Sequence, residues 1–243
     1  MEQFFVKDYT GGAFVWFSAA HNIALLIIVL LNVLLIRRLK GAPEKSKRTV
    51  AYGMAGVLWA NEIAWHLWHV FTGQWTIQTM LPLHVCSLLV WTGALMLVTR
   101  NYSIYEFSYF MGIGGALQAL LTPDLGIYGY PHFRFFQTYI SHGLIITSAI
   151  YMTVVYGFRP TWKSLLRVFV WMNIYMAFVF VINKLIGSNY LFIAHKPPTA
   201  SLLDLLPEWP WYIAWMEVVG MLTCLILYLP FAIQDWRAKV KSI

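Results

Sequence analysis

Residues 81–98 read LPLHVCSLLVWTGALMLV, so that a proline, a histidine and a cysteine stand directly before a run of apolar residues. The run approaches the roughly 20 apolar residues that an α-helix needs to cross a bilayer. Seven such runs occur along the chain, at about residues 14–36, 49–71, 81–98, 105–121, 136–156, 164–186 and 211–231. This repetition predicts an all-α membrane protein with seven transmembrane helices, formed as a single domain over residues 1–243.

The composition excludes a water-soluble globular protein. Of the 243 residues, 60% are hydrophobic and 11% are charged, whereas a soluble domain carries about 25% charged residues. The first apolar run is too long for the core of a secretory signal, and it lacks a basic leader and a small-residue cleavage site. We therefore expect the first run to remain as a membrane span.

The net charge of +7 is distributed as a topology signal. Thirteen of the 17 lysines and arginines lie in or beside the first, third and fifth loops and in the C-terminal tail. Because cytoplasmic loops carry an excess of these residues, the distribution predicts an N-terminus outside and a C-terminus in the cytoplasm. The charge then needs no nucleic-acid partner.

Polar residues inside the spans are costly, at about 2.5–3.5 kcal/mol for a charge at a helix centre, and mark functional candidates. Glu62, His66 and His69 share one helical face by their spacing of four and three. With the predicted topology, six runs bring polar residues to one depth in the outer half of the membrane. Besides Glu62, His66 and His69, these residues are His84, Cys86, Gln118, Asp124, Gln137, Ser141, His142, Asn183, Lys184 and Glu217. The pattern predicts a polar cavity in the outer half of the membrane. We expect almost nothing comparable in the cytoplasmic half.

Two longer loops, residues 122–135 and 187–210, fall on the outer side in this topology. The second is long enough to contain a short helix and to act as a cover. Longer connections that carry no regular structure are usually functional. Function is therefore expected on the outer side.

Cys86 is a candidate nucleophile. Pro82 suits the first position of a helix, which would place Cys86 in the opening turns, where the macrodipole favours an anion. A helix N-terminus and a nearby imidazolium activate a thiol. His84, two positions away, would point to the opposite side of a helix. The base is therefore expected from another helix, with His142 as the nearest match in depth and His66 or His69 behind it.

These residues also have plainer interpretations. A lone cysteine in a membrane helix is ordinarily a packing residue, and histidines in spans can bridge helices. His66 and His69 have a spacing that a metal or haem would accept, although spacing alone is weak support. Glu62 is equally suited to pairing with a neighbouring span. We expect no cofactor, and no disulfide between Cys86 and Cys224, which lie at different depths.

Several motifs between the third and seventh runs resemble a known family. They are LPLHVCS, GGALQALLTPDL followed by PHFRFFQ, ISHG, RPTWKSLLRV, and GSNYLF followed by SLLDLL and WPWY. In this order they are similar to the YwaF family of bacterial integral membrane proteins, related to the vertebrate transmembrane protein 164 acyltransferases. The resemblance implies seven helices in a bacterial cytoplasmic membrane and, from the vertebrate branch, cysteine-dependent transfer of acyl chains between phospholipids. It also implies that Cys86 is the nucleophile and His142 its partner.

The expected function is therefore a transacylase acting on membrane phospholipids and lysophospholipids, with its site toward the extracytoplasmic side. Candidate oxyanion donors are Gln118, Gln137 and Ser141. Candidate phosphate ligands are Arg134, His132 and Lys184. The other residues predicted to contact substrate are His66, His69, His84 and Asp124. The alternatives are a transporter or ligand-binding protein that uses the same pocket without covalent chemistry, and a lipid hydrolase with the same cysteine and histidine.

Overall fold

The computed structural model describes residues 3–197 and 202–240, and within them the chain is entirely helical, as predicted. A π-helical turn, Ser108–Gly112, joins α4 to α5, so the described chain contains seven helical rods. The helices are α1 (Ala19–Leu39), α2 (Glu44–Phe71), α3 (Val85–Thr99), α4 (Tyr102–Phe107), α5 (Ile113–Leu121), α6 (Phe133–Val154), α7 (Trp162–Ile186) and α8 (Trp211–Val240).

Contacts between connecting segments define two ends of the helical bundle. At the lower end, Arg100 after α3 donates to Glu44 at the start of α2 at 2.6 Å. At the same end, Arg159 before α7 donates to Asp235 near the end of α8 at 2.5 Å. The upper end holds the segments that precede α3 and α6 and the segment that follows α7. Helices α3 and α6 therefore both run from the upper end to the lower end, whereas α2 runs upward.

Burial divides the helices into central and peripheral ones. In α6, 14 of 22 residues are buried, whereas in α8 only Tyr212 and Cys224 are buried among 30. The peripheral helices α1, α7 and α8 are long and apolar enough to cross a membrane, with mean hydropathies of 2.5, 2.1 and 2.0, and α3 is a shorter apolar helix. Helices α2 and α6 carry polar residues because other helices surround them. The chain is a membrane protein in which exposed apolar surface lies on the periphery.

Close packing at two glycines fixes the register of the central helices. A Cβ added to Gly93 of α3 would lie 3.6 Å from Ser148 Oγ of α6 and 3.9 Å from Leu58 Cδ1 of α2. Nearer the upper end, a Cβ at Gly112 would lie 3.2 Å from Ile145 Cγ2 of α6. The small residues allow close helix approach, as is usual in membranes, and set Gly93 level with Ser148.

The sequence indicated that the third helix begins at Pro82. In the structure, α3 begins three residues later, at Val85. His84 is the N-cap residue, with extended backbone angles of φ −71° and ψ 145°. The residues before it form a turn, in which Leu83 N donates to Leu81 O at 2.7 Å, and the Tyr190 hydroxyl accepts a hydrogen bond from Leu81 N at 2.8 Å. Cys86 is therefore the second residue of α3, closer to the helix N-terminus than predicted.

The segment after α7, residues 187–197, forms a roof over the start of α3. Asn183 organises it: Nδ2 donates to Tyr190 O at 2.9 Å, and Oδ1 accepts from Tyr190 N at 2.9 Å and from Ser188 Oγ at 2.7 Å. Leu191 and Phe192 follow in the left-handed region, with φ of 61° and 54°. The predicted cover thus contains the short 3-10 turns Tyr190–Phe192 and Leu202–Leu205, while residues 198–201 lie outside the described residues.

The lower half contains a buried carboxylate, so the expectation of almost no polar groups there is wrong. Glu106 is 2% exposed. Its Oε2 accepts from Arg167 Nε at 3.0 Å, and its Oε1 accepts from Arg167 Nη2 and the Ser164 hydroxyl. Glu106 lies one residue inside the fourth apolar run, which is the signal that could have found it. Its partners, about 60 residues away on α7, could not be read from the sequence.

Replacing Asn183 by alanine should loosen the roof, because the buried N–H and C=O of Tyr190 lose their partners. We expect a loss of about 1–3 kcal/mol, which lowers Tm by about 2–4 °C per kcal/mol in a protein of this size. Thermal unfolding in detergent measures this. Asn173→Ala on the same helix removes only an exposed bond to Phe169 O and should melt close to wild type. Equal Tm values for the two variants would contradict the role of Asn183.

Candidate functional site

The helix register brings Cys86 and His142 to the same depth. Cys86 lies seven residues above Gly93 on α3, and Ser141 lies seven residues above Ser148 on α6. Seven helical residues span about 10.5 Å, and Gly93 and Ser148 lie opposite each other, since a Cβ on Gly93 would be 3.6 Å from Ser148 Oγ. The first turn of α3 and the third turn of α6 therefore face the same level of the upper half.

Helix α2 contributes a buried carboxyl group at this level. Glu62 is 3% exposed and interacts electrostatically with Cys86. His66 Nε2 lies 3.7 Å from Glu62 Oε1, and His66 Nδ1 accepts a hydrogen bond from Trp75 Nε1 at 3.1 Å. Because Nδ1 is an acceptor, neutral His66 carries its proton on Nε2 and presents it to Glu62. Polar side chains thus lead from Trp75 at the upper end through His66 to the buried Glu62.

The hydrogen bonds of His142 and His69 fix the free nitrogen of each ring. His142 Nδ1 lies 2.9 Å from Thr138 O, and His69 Nδ1 lies 3.0 Å from Trp65 O. A carbonyl oxygen only accepts, so each Nδ1 carries the proton and each Nε2 keeps its lone pair. His142 therefore has the tautomer that a general base requires.

Arg134 places a positive charge above this cluster. Its guanidinium lies over the Trp65 ring at 4.5 Å and over the Tyr128 ring at 5.4 Å. Its Nη2 is 3.5 Å from Asp124 O, at the limit of a hydrogen bond. Its buried Nε has no hydrogen-bond partner among the described residues. The aromatic rings hold the guanidinium and leave donor capacity for an anion.

The sequence suggested His132 as a phosphate ligand, but the structure gives this residue a different role. The ring is fully buried; Nε2 donates to Val6 O at 2.9 Å and Nδ1 accepts from Arg134 N at 3.1 Å. Both nitrogens are therefore used within the protein. His132 caps α6 and ties the N-terminal segment to the upper end.

Three other predicted site residues lie away from the cluster. Gln118 is exposed on α5, and the Asp124 side chain is exposed in the loop before α6. Lys184 is exposed on α7 and lies over the Phe180 ring at 5.5 Å. Helix α7 packs mainly against α8, α4 and the roof, so Lys184 does not join Arg134. Hydropathy could not separate these residues from those that face the interior.

Of the remaining predicted residues, Ser141 and Gln137 lie in the interior on α6, and His84 lies against the roof. Ser141 and Gln137 are buried on α6, and Gln137 O accepts from Asn61 Nδ2 at 3.1 Å. His84 turns toward the roof, where its Nδ1 accepts from Leu191 N at 3.3 Å. The sequence interpretation missed the roles of Asn61, Trp65, Trp75 and Tyr128. For Asn61 and Trp65 the signal was a spacing of four on the face of α2 that meets α6.

Neither a metal cluster nor a disulfide is found in the described ranges. No group of three His, Cys, Asp or Glu side chains converges as a metal ion would require. Cys86 and Cys224 are both free thiols. The described cluster offers acid–base, nucleophilic and anion-binding groups from its own side chains.

The family relationship follows from the whole helical region. The TMEM164 family model matches residues 16–228, which include every residue of the cluster. The chain belongs to the TMEM164 family. A protein of Treponema pallidum (strain Nichols), described as uncharacterized, is 25% identical over 227 residues, or 90% of this chain and 91% of the relative. No solved structure matches. The resemblance inferred from the motifs is thus confirmed at the level of the TMEM164 family.

The N-terminal segment should detach at acidic pH. Burial lowers the pKa of His132 below its ordinary value, so the folded state favours the neutral ring. The stability contributed by His132 is present above about pH 6.5, the ordinary pKa, and is lost as pH falls toward the lower folded pKa. Protonation at Nδ1 would oppose the Arg134 N–H. After correction for the intrinsic exchange rate, the protection of the amides of residues 3–10 should therefore fall between pH 8 and pH 5.

His132→Asn keeps a capping acceptor without titrating, so its exchange should depend less on pH after correction for intrinsic rates. His195→Asn, at an exposed position, should behave as wild type. An identical pH profile in wild type and His132→Asn would assign the effect to another group.

Proposed function

We propose that this TMEM164-family protein is a lipid acyltransferase that moves an acyl chain between phospholipids through a thioester on Cys86. The observation that carries the proposal is the common depth of Cys86 and His142 on neighbouring parallel helices, beneath the guanidinium of Arg134. A nucleophile, a base and an anion ligand are the three groups that cleavage of a phospholipid ester needs.

We further propose that the seven rods cross the bacterial cytoplasmic membrane, with the upper end facing outward. Of the 16 described lysines and arginines, 12 lie at the lower end, in the connections there and in the adjoining ends of α1, α2, α7 and α8, as the positive-inside rule requires for a cytoplasmic face. Lys241, part of the predicted basic set, lies outside the described residues. In this orientation the site meets lipids of the outer leaflet.

The first half-reaction acylates Cys86. His142 Nε2 takes the thiol proton, and the thiolate attacks the ester carbonyl carbon of a phospholipid. The carbon–oxygen bond then breaks, and His142 returns the proton to the leaving oxygen of the lysophospholipid. The N-terminus of α3 favours the thiolate because Cys86 is its second residue.

The second half-reaction transfers the acyl group. The hydroxyl of an acceptor lysophospholipid gives its proton to His142 Nε2 and attacks the thioester carbon. The carbon–sulfur bond breaks, and the Cys86 thiolate regains the proton. One ester is exchanged for another, so the reaction needs neither ATP nor coenzyme A.

Two features of the chain can stabilise the oxyanion of each half-reaction. The first N–H groups of a helix have no partner within it, and those of Cys86 and Ser87 lie beside the thiol. Ser141, buried on α6, can supply a hydroxyl from the neighbouring helix. Exposed Gln118 is replaced in this role by backbone donors.

The first test is the covalent intermediate. Wild-type protein incubated with dioleoyl phosphatidylglycerol should gain the mass of one oleoyl group, removable by hydroxylamine at neutral pH, in intact-protein mass spectrometry. Cys86→Ser should show no hydroxylamine-labile adduct, while Cys224→Ser, the matched cysteine control, should label as wild type. His142→Ala should acylate at least about 10²-fold more slowly, the usual contribution of a general base.

Glu62→Gln separates the two candidate proton acceptors. Loss of labelling in Glu62→Gln with retention in His142→Ala would assign the base to Glu62. No adduct on wild-type protein in lipid-loaded micelles would reject the thioester mechanism. Accumulation of free fatty acid in place of a new phospholipid would identify hydrolysis.

Arg134 should recognise the lipid phosphate. Arg134→Gln removes a charge-assisted hydrogen bond of about 1.5–3 kcal/mol, so acylation of Cys86 by phosphatidylglycerol should slow about 10-fold to 100-fold. Acylation by dioleoylglycerol, which lacks the phosphate, should stay within about 2-fold of wild type. Lys184→Gln should change neither rate. An equal decrease for both lipids in Arg134→Gln would show a structural role instead.

A further inference from the structure

A cavity lies beside the candidate site, between α3, α7, α8 and the roof. Its volume is about 230 Å³. Five methionines from three rods dominate its walls: Met111, Met172, Met176, Met216 and Met221. Methionine is flexible and polarizable, and it adapts to ligands of varying shape. Such a lining suits a flexible apolar chain.

The cavity is continuous with the start of α3. Val85, which precedes Cys86, lines it, and Leu191 and Ile193 of the roof close its upper part. Leu191 N donates to Nδ1 of His84, which links the roof to the N-cap of α3. An acyl chain in this cavity would therefore have its carboxyl end near Cys86.

The polar residues of the wall orient a chain inside the cavity. Glu217 lies next to Met216, in the upper part of the α8 wall, and α7 contributes Asn173, whereas the α8 wall from Gly220 to Cys224 is apolar. The distance from Met216 to Cys224 along α8 is about 12 Å. The methyl end of a chain would thus point down toward Cys224.

The roof holds an unusual conformation at this point. Leu191 and Phe192 both have positive φ, which is uncommon for residues other than glycine. Backbone strain of this kind gathers at ligand clamps when the surroundings enforce it, and here Asn183 and Tyr212 bind the same segment. A larger cavity of about 720 Å³ lies between α1 and α6, but no residue of α3 lines it.

We propose that the cavity between α3, α7 and α8 binds the acyl chain that is transferred and selects its length. The inference rests on the proposed acyltransferase function for its catalytic consequence. The occupant is the apolar tail of a membrane lipid, which enters between the exposed faces of α7 and α8. Chains that reach the level of Gly220 make more apolar contact and are preferred over chains that end above it.

Gly220→Leu tests the selection of chain length. A Cβ at Gly220 has no atom within 4 Å, so the leucine fills the cavity without displacing the backbone. Gly56→Leu is the matched control, because its Cβ also meets open space and it lies on the exposed side of α2. The probe is an equimolar mixture of dioctanoyl and dipalmitoyl phosphatidylglycerol. Intact mass spectrometry measures the ratio of palmitoyl to octanoyl adducts on Cys86.

The palmitoyl-to-octanoyl ratio should fall at least about 10-fold in Gly220→Leu, since one methylene in an apolar pocket changes discrimination by about 10–200-fold. Gly56→Leu should keep the wild-type ratio. An unchanged ratio in Gly220→Leu, with adducts still formed, would overturn the proposal for this cavity.

A labelling experiment tests chain binding without catalysis. A phosphatidylglycerol with a diazirine near the methyl end of one chain should, on illumination, label residues 216–224 of Cys86→Ser protein. Labelling there should fall several-fold when Gly220→Leu is added. Labelling without any thioester on wild-type protein would retain the chain site and reject the acyl-transfer mechanism. Absence of labelling in this segment would reject the chain site itself.

Discussion

The contact of Gly93 with Ser148 and Leu58 determines where the functional groups of this protein lie. At that point α3 meets α6 and α2 with little more than van der Waals separation. Membrane helices lack the hydrophobic driving force that operates in water, so small residues and close packing set their register. A slip of one turn would move Cys86 about 5.4 Å relative to α6. The depth of the Cys86 thiol is thus set by packing at Gly93, about 10.5 Å below the thiol.

The same packing explains why apolar composition is unevenly distributed. Polar groups inside a bilayer must be satisfied within the protein, so they collect on helices that other helices surround. Helix α6 is mostly buried and carries Gln137, Ser141 and His142, whereas α1 and α8 each have only two buried residues. Hydropathy therefore identifies the peripheral helices most readily. Helices α2 and α6, which carry most of the candidate site residues, have the weaker hydropathy signal.

The sequence predicted the helical class and the elements well, because apolar runs depend on local composition. It also placed the polar side chains of α2, α3 and α6 at one level, since depth follows from counting residues along each run. Contacts between distant segments were beyond this reasoning. The pairing of Glu106 with Arg167 and the caps at His84 and His132 depend on partners from other parts of the chain. His84 and His132, which the sequence suggested as substrate ligands, make hydrogen bonds within the protein instead.

Those two caps have a further electrostatic consequence. His84 and His132 precede α3 and α6, which run in the same direction, with the start of α6 about 10.5 Å above the start of α3. Parallel helices do not cancel each other's macrodipoles, so both positive ends point toward the upper side, where the Arg134 guanidinium also lies. Neither cap brings a carboxylate there; His84 is fixed by the roof and His132 by the N-terminal segment. The upper end thereby concentrates positive potential from backbone groups as well as from arginine. These groups favour an anionic head group and a thiolate, whereas the buried Glu62 carboxyl group opposes the thiolate at Cys86, so an acyl transfer would depend on the balance between them.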